Sequence, residues 1–469
     1  MRKLAVAGII FVLLIFNSSH FEMYIYGQSK LDVHVTARAA ILVEQHSGRV
    51  LFAKNARERI YPASMTKMLT AMVMLEHFDD LHELILTGPE ILYVPQGSSL
   101  SGHVVGESIS VENLIRGLIM PSGNETAIVV ASTVAQRVSG SSMPYREAEA
   151  MFGQMMNEMA RRVGAVNSNF VNPHGFHDPN HYSTAYDLAL IGRAAMENDV
   201  IRRIAAETRF QNYGAGRRHT PDLRTRRYAW TTHNQLLRPD SDFFFPYATG
   251  IKTGFHNEAG FCVAASATRD GRELVAVIWN STSLGRWQDS INLFEFGFNA
   301  FDDRTVQQAG QFLSHVLLHN APLAENDSLE VLAYEDFVML LSQEELDRLE
   351  VTITFSEAYT VPYEELNTYF TRLRTPIEEY AVIGRITYRL DGLEIYNGPV
   401  VAGRAVSERS YVDDVRYFFR VTRQKVSVVT LLAIFAVILL TVAFFMVNAH
   451  IAKNKKRYQY KMREARRRH

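Results

Sequence analysis

The chain has a single cysteine, Cys262, so no disulfide can form within it. It also lacks internal repeats and low-complexity stretches, which excludes a repeat architecture. An overall excess of one charge is absent too, because the formal net charge is -1 over 469 residues. Apolar residues make up 47% and charged residues 21%, which is typical of globular protein. At this length two or three domains are expected.

The near-zero net charge hides a strongly basic C-terminus. Residues 448–469 hold nine Lys and Arg against Glu464, a net of +8. The uncharged apolar run from Val426 to Val447 comes just before, and as a helix it is about 33 Å long, enough for a bilayer core. The alternative, a buried core helix, is less favoured because Arg423, Lys425 and the tail flank the run. We therefore predict a transmembrane helix with a cytoplasmic tail facing membrane lipid, and no nucleic-acid partner.

The N-terminus has the form of a secretory signal. A basic start, Met1-Arg2-Lys3, precedes an apolar stretch from Leu4 to Phe16. The chain is therefore predicted to be exported, with its domains outside the cell and a single pass through the cell membrane.

Between the termini the pattern changes once. The first part mixes strands and helices, with a hairpin around Ser47-Gly48 and helices capped by Ser110 and by Ser183 or Thr184. The second part has short strands, two of them joined at Asp391-Gly392, and predicts a small all-β domain arranged as a sandwich. The predicted boundaries are 1–30 for the signal, 31–305 for a mixed α+β domain, 306–405 for the all-β domain, 406–425 for a linker, 426–447 for the transmembrane helix and 448–469 for the tail.

The stretch "PASMTKMLTAMVMLE" places two chemically active groups on an otherwise apolar helix. Ser64 and Lys67 are three residues apart, which puts them on one helix face. A serine hydroxyl needs a base to become a nucleophile, and a lysine can be that base if burial lowers its pKa. The S-x-x-K spacing alone is weak, because a capping serine beside a surface lysine has the same pattern.

Two further motifs strengthen the interpretation. Ser122 and Asn124, in "SGN", lie in a loop ahead of a predicted helix, and Lys252-Thr253-Gly254 lies at a strand edge. The order S-x-x-K, S-x-N, K-T-G is that of penicillin-binding proteins and class A β-lactamases, where the middle motif is S-D-N.

On these motifs the chain resembles the low-molecular-mass penicillin-binding proteins, the serine-type D-alanyl-D-alanine carboxypeptidases. Supporting stretches are "QGSSL", "NPHGFHDPNHYSTAYDLA" and "HNQLL". The resemblance covers about residues 39–405. It implies a β-lactamase/transpeptidase-like peptidase domain, a small C-terminal all-β domain and a C-terminal membrane attachment. The chain departs from the family in "SGNET", where relatives often have aspartate after the asparagine, and in Phe255, where some have histidine.

The resemblance also implies residue roles. Ser64 resembles the acylated nucleophile, Lys67 its general base, and Ser122 the proton relay to the leaving amine. In substrate binding, Asn124 resembles the partner of the substrate amide, and Lys252 and Thr253 resemble the holders of its terminal carboxylate. Gly254 would let the substrate backbone approach. The backbone N–H groups of Ser64 and Phe255 would form the oxyanion hole.

The implied reaction is removal of the terminal D-alanine from peptidoglycan stem peptides, with β-lactams acting as inhibitors on the same serine. No metal or organic cofactor is implied. A DD-endopeptidase, a β-lactamase and a catalytically weak wall-binding sensor remain as alternatives. His174, His177 and His181 have spacings that suit a zinc helix, but Pro173, Gly175 and Pro179 break such a helix, and a loop beside the site is the favoured interpretation.

Overall fold

The computed structural model describes residues 33–213, 227–322, 326–365, 368–425 and 428–466. Its strands are β1 (Ala39–Glu44), β2 (Val50–Lys54), β3 (Leu84–Leu86), β4 (Ser108–Ser110), β5 (Arg209–Tyr213), β6 (Arg227–Thr231), β7 (Ala248–His256), β8 (Gly260–Arg269), β9 (Arg272–Ser281), β10 (Asp302–Gln307), β11 (Phe312–His319), β12 (Ser328–Ala333), β13 (Phe337–Leu341), β14 (Leu349–Phe355), β15 (Thr360–Glu365), β16 (Thr368–Arg374), β17 (Val382–Leu390) and β18 (Leu393–Ala402). Its helices are α1 (Thr66–His77), α2 (Val111–Ile119), α3 (Asn124–Ser139), α4 (Tyr145–Arg162), α5 (Ala185–Glu197), α6 (Asp199–Ala205), α7 (Gly285–Asn299), α8 (Gln343–Asp347), α9 (Tyr411–Lys425) and α10 (Val428–Arg466).

The described chain divides into two compact units. The first comprises the residues up to Asp303 together with Leu340–Leu349, and the second comprises Arg304–Met339 and the residues from Glu350 onward.

The first unit is built on a five-stranded antiparallel sheet in the order β2-β1-β9-β8-β7. Every residue of β1 is buried, because both faces of the sheet are covered. Ile41 and Val43 point into a large core with helices α1 to α6, and Leu42 points to the other side, where α7 supplies Trp287 and Phe294. Alternate side chains of this one strand therefore pack into two separate hydrophobic cores.

Strand β7 lies at the edge of this sheet and carries the K-T-G motif. Its pairing with β8 sets Lys252 opposite Ala264 and Gly254 opposite Cys262. Cys262 is fully buried, as its apolar surroundings predict. The other edge of β7 has no strand beside it in the described part of the chain.

The predicted helix starts are confirmed at two places. Ser110 accepts a hydrogen bond from the Asn113 N–H at the start of α2, and Thr184 accepts one from Asp187 N at the start of α5. Each side chain satisfies an N–H that has no partner inside its own helix.

The second unit is mainly β. Seven strands form one sheet in the order β14-β17-β18-β12-β11-β16-β15, with the hairpin at Asp391-Gly392 as predicted. Both turn residues have positive φ, +52° and +82°, which matches the tight hairpin turn that Asp-Gly favours. The parallel pair of β11 with β16 joins these seven strands into one hydrogen-bonded sheet, and their arrangement as a sandwich stays a prediction.

The C-terminal segment is more helical than expected. The predicted linker 406–425 contains α9, and α10 runs without a break through the predicted span and into the basic tail. Within α10, Leu432–Arg457 is long and apolar enough to cross a membrane, by length and composition. The predicted signal, and Val426 and Ser427 at the start of the predicted span, lie outside the described residues.

Candidate active site

The S-x-x-K motif forms a short helical start that leads into a buried helix. Ser64 lies in a single 3₁₀ turn, Ala63–Met65, and Lys67 lies in the first turn of α1. Lys67 Nζ is 2.9 Å from Ser64 Oγ, so the two groups are in hydrogen-bond contact. Ala63 has a positive φ of +47°, an uncommon backbone conformation for alanine.

Lys67 is completely buried and has three polar neighbours. Besides Ser64 Oγ, its Nζ donates to Asn124 Oδ1 at 2.7 Å and to the His174 carbonyl at 2.8 Å. The pKa of Lys67 is well below its usual value, first because burial disfavours the charged amine and second because Lys252 repels it, while Glu125 acts in the opposite direction.

This arrangement suits the neutral amine. Asn124 Oδ1 and the His174 carbonyl can only accept, so they take the two N–H bonds of a neutral Lys67. The third neighbour, Ser64 Oγ, lies 2.9 Å from Nζ, and the lone pair of a neutral amine could accept its hydroxyl proton. In this geometry a neutral amine can take the proton of the serine hydroxyl.

The middle motif lies where the loop enters α3. Asn124 is the first residue of α3, and its Nδ2 donates to Ser98 Oγ at 2.8 Å. Ser122 has a φ of +63° and lines the cleft beside Ser64.

Glu125 follows Asn124, where relatives often have aspartate, and its carboxylate binds the backbone of a neighbouring loop. Its Oε1 accepts hydrogen bonds from the N–H groups of Ser101, Gly102 and His103. The carboxylate therefore holds the loop from which Ser98 contacts Asn124.

The K-T-G motif lies close to the serine. A Cβ added to Gly254 would stand 3.3 Å from the Pro62 carbonyl oxygen and 3.4 Å from Ser64 N, so glycine permits a close approach of β7. Phe255 is half exposed and stacks on Phe261, with ring centroids 4.3 Å apart.

Lys252 is buried beneath this strand end. Its Nζ donates to the Thr253 carbonyl at 3.1 Å. Burial, with a smaller contribution from Arg286, lowers the pKa of Lys252 to about 7.

A cleft of about 540 Å³ joins these elements. Six of the eight predicted site residues line it, namely Ser64, Ser122, Asn124, Thr253, Gly254 and Phe255. Lys67 and Lys252 lie behind this lining, which explains why both are desolvated.

Sequence reasoning missed Arg286, a cation of this cleft from the first turn of α7. Its Nη1 donates to the Cys262 carbonyl at 3.2 Å, and its guanidinium lies over the Trp287 ring at 4.2 Å. Burial lowers its pKa to about 10. Nothing in the local sequence "SLGRWQDS" marks Arg286, because the fold alone brings α7 to the cleft.

The three histidines of the loop after α4 do not act as one group. Both ring nitrogens of His181 are engaged, by Thr66 Oγ1 and by Val171 N, and His174 contributes its carbonyl to Lys67. His177 points to a different place and lines the cleft.

Comparisons with known proteins point to one family. Residues 27–283 match the D-alanyl-D-alanine carboxypeptidase family, and residues 301–408 match the C-terminal domain of penicillin-binding protein 5. The chain is 24% identical to D-alanyl-D-alanine carboxypeptidase DacF of Bacillus subtilis, covering 82% of this chain and 90% of the relative. It is 27% identical to DacC of Escherichia coli, over 80% and 86%. Penicillin-binding protein 5 from Haemophilus influenzae has a similar structure, with a TM-score of 0.55, 25% identity and coverage of 81% and 100%.

Proposed function

Because this chain belongs to the D-alanyl-D-alanine carboxypeptidase family, we propose that it removes the terminal D-alanine of peptidoglycan stem peptides through an acyl-enzyme on Ser64. The observation that carries the proposal is the contact of Ser64 with a buried Lys67 whose two other neighbours are pure acceptors.

In the acylation step, Ser64 Oγ attacks the carbonyl carbon of the penultimate D-alanine while Lys67 takes the hydroxyl proton. The C–N bond then breaks, and the leaving amine of the terminal D-alanine takes a proton from Ser122, which regains one from Lys67. Water afterwards hydrolyses the ester, which releases the shortened peptide and restores Ser64. The N–H groups of Ser64 and Phe255 hold the oxyanion, and one such donor is typically worth about 3–4 kcal/mol.

The substrate carboxylate has two cations to meet. Thr253 and Arg286 line the cleft, with Arg286 Nη1 3.5 Å from the Gly254 carbonyl oxygen, and Lys252 is buried on β7 behind this lining. A bound carboxylate favours the charged form of Lys252 and raises its pKa above the value in the empty cleft. Asn124 would hold the substrate amide, and the orientation of its own amide by Lys67 and Ser98 supports this role. β-Lactams carry a carboxylate and an amide in a similar arrangement and would acylate the same serine.

The other functions considered from the sequence are less well supported. A wall-binding sensor has no need of a buried neutral amine against a serine. A class A β-lactamase uses a glutamate to activate the deacylating water, and residues 163–195 contain no glutamate. A DD-endopeptidase would use the same residues on cross-linked peptides, and the substrates below separate it.

We also propose that α10 anchors the enzyme in the cell membrane, with the peptidase unit outside and the basic end of the helix in the cytoplasm. Support comes from the segment Leu432–Arg457, which is apolar in its first part and basic at its end, and from the basic residues after it.

The test measures the release of D-alanine from a labelled stem pentapeptide by the full-length protein in detergent. Mass spectrometry detects the released D-alanine and the shortened peptide. The proposal expects one D-alanine per pentapeptide and no release by Ser64→Ala. Cleavage of cross-linked dimers with the pentapeptide left intact would instead identify an endopeptidase. No cleavage of either substrate by folded protein would contradict the proposal.

A further inference from the structure

A group of metal-ligating side chains lies at the rim of the cleft, apart from the serine machinery. His177, His256 and Glu258 each offer a ligand atom, and these atoms all lie within 4.8 Å of one another. All three residues line the cleft. They come from two segments, since His177 is in the loop after α4, whereas His256 ends β7 and Glu258 is in the turn that follows.

The side chains of this group are already close together. His256 Nδ1 is 3.0 Å from Glu258 Oε2, and the His177 and His256 rings are 5.3 Å apart between centroids. The Tyr61 ring packs edge-on against His177 at 4.7 Å, which limits the rotation of that imidazole. Nδ1 of His177 is buried without a hydrogen-bond partner among the described residues, so this nitrogen would give up no hydrogen bond on binding an ion.

We propose that His177, His256 and Glu258 bind a divalent transition-metal ion of the zinc class, which clamps the two walls of the cleft together. Two imidazoles and a carboxylate form a known zinc ligand set, and three protein ligands leave one tetrahedral position open. Zinc ligands lie about 2.0–2.2 Å from the ion, so neighbouring ligand atoms are about 3.4 Å apart in a tetrahedron. Rotation of the exposed Glu258 side chain, and of His256 with loss of the hydrogen bond that its Nδ1 accepts from Ala259 N at 3.1 Å, would bring the group to that spacing.

The proposed clamp would connect a loop and a strand that hold different parts of the active site. The loop with His177 also carries His174, whose carbonyl holds Lys67. The strand with His256 carries Thr253 and Gly254. A metal ion bridging this loop and this strand would fix Lys67, the proposed general base, relative to the strand that binds the carboxylate. The open coordination position of the metal would face the cleft. The clamp rests on the proposed function of Lys67, whereas metal binding itself does not.

The binding test titrates Zn²⁺ into EDTA-stripped full-length protein against a chromophoric chelator. We expect one zinc per chain, with affinity at least about tenfold weaker, or 1.4 kcal/mol, in Glu258→Gln and His256→Ala. Glu258→Gln keeps the size of an exposed side chain, so it tests the site without unfolding it. His82→Ala, at an exposed histidine away from the cleft, is the matched control and should bind like the parent. Cobalt in place of zinc should give the strong visible absorption of a tetrahedral site. Binding that is absent, or unchanged in both cleft variants, would overturn the site.

The clamp test compares penicillin acylation with and without zinc. We expect zinc to change the acylation rate of the parent and of His82→Ala but not of Glu258→Gln. Stoichiometric binding with equal acylation rates would overturn the clamp. Acylation at Ser64 in zinc-free protein keeps this outcome distinct from a failure of the proposed function.

Discussion

At the scale of single residues, the two buried lysines differ in what surrounds their nitrogens. Lys67 has two pure acceptors and one hydroxyl around it, whereas Lys252 donates to the carbonyl of Thr253 and lies near the Arg286 guanidinium. The first environment suits a neutral base. The second lowers the pKa of Lys252 to about 7 through burial and Arg286, and a bound carboxylate would shift this amine back to its charged form.

Replacing each of the two lysines should therefore have a different effect on catalysis. Lys67→Ala should lower the acylation rate by about 10²–10⁴-fold on every substrate, as loss of a general base does. Lys252→Ala should reduce kcat/KM on a peptide ending in a carboxylate far more than on its amide-ended analogue. Steady-state kinetics on this substrate pair are the measurement. Equal losses on both substrates for both variants would show that the roles are misassigned.

The pH dependence of kcat/KM should also differ between the acid-ended peptide and the amide-ended peptide. Lys252 must be charged to hold a carboxylate, and in the free enzyme it loses its proton near its pKa of about 7. The kcat/KM on the acid-ended peptide should therefore fall as the pH rises through about 7, and the fall should be absent with the amide-ended peptide. Profiles from about pH 5 to pH 10 report these free-enzyme groups. Parallel profiles for the two peptides would contradict the assignment.

Features that depend only on residues close together in the sequence could be predicted. The spacing of Ser64 and Lys67 is enough to put both on one helix face, and the hydroxyls of Ser110 and Thr184 are enough to mark helix starts. Arg286 and the His174 carbonyl could not be predicted in this way, because tertiary packing brings them to the cleft from distant segments.

At the scale of elements, the loop after α4 and the start of α1 approach each other very closely. Gly175 has a φ of +80°, and a Cβ added there would stand 1.9 Å from the Ala63 carbonyl oxygen. A side chain at this position would therefore push against the backbone directly before Ser64.

Gly175→Ala should displace the nucleophile and slow acylation, since a misplacement of about 1 Å can cost about 10²-fold in rate. Gly271→Ala is the matched control, because its φ is +82° but nothing lies within 4 Å of an added Cβ. The control should show only the strain of a left-handed alanine, about 1–2 kcal/mol of unfolding free energy, and normal acylation. Chemical denaturation and fluorescent-penicillin kinetics measure the two effects. Equal acylation by both variants would show that the close approach does not position Ser64.

At the scale of the whole molecule, the chain combines a peptidase unit, a β unit and a helical C-terminus. The helix and strand patterns, the three motifs with the family resemblance, and the apolar run were together enough to predict this order. They were not enough to predict α9 or the unbroken α10, because the charged and apolar stretches separately favour a linker, a span and a tail.

A chain stopped after Ser410 lacks both α9 and α10 and should leave the membrane while keeping acylation. The cut comes after Val406, whose backbone pairs with Ile377 at 2.8 and 2.9 Å, so the β unit keeps its last pairing. A chain stopped after Lys425 keeps α9 and serves as the control for that exposed helix. Fractionation of cells that express the three lengths is the measurement. Membrane retention of the shortest chain would place the anchor elsewhere.

The central claim is that Ser64, activated by Lys67, is the nucleophile. Mass spectrometry of the full-length protein after reaction with penicillin tests this claim most directly. The account predicts one penicilloyl group per chain, located on the peptide that contains Ser64, with none in Ser64→Ala and a greatly slowed reaction in Lys67→Ala. An adduct on any other residue, or a Ser64→Ala protein that is labelled as fast as the parent, would contradict it.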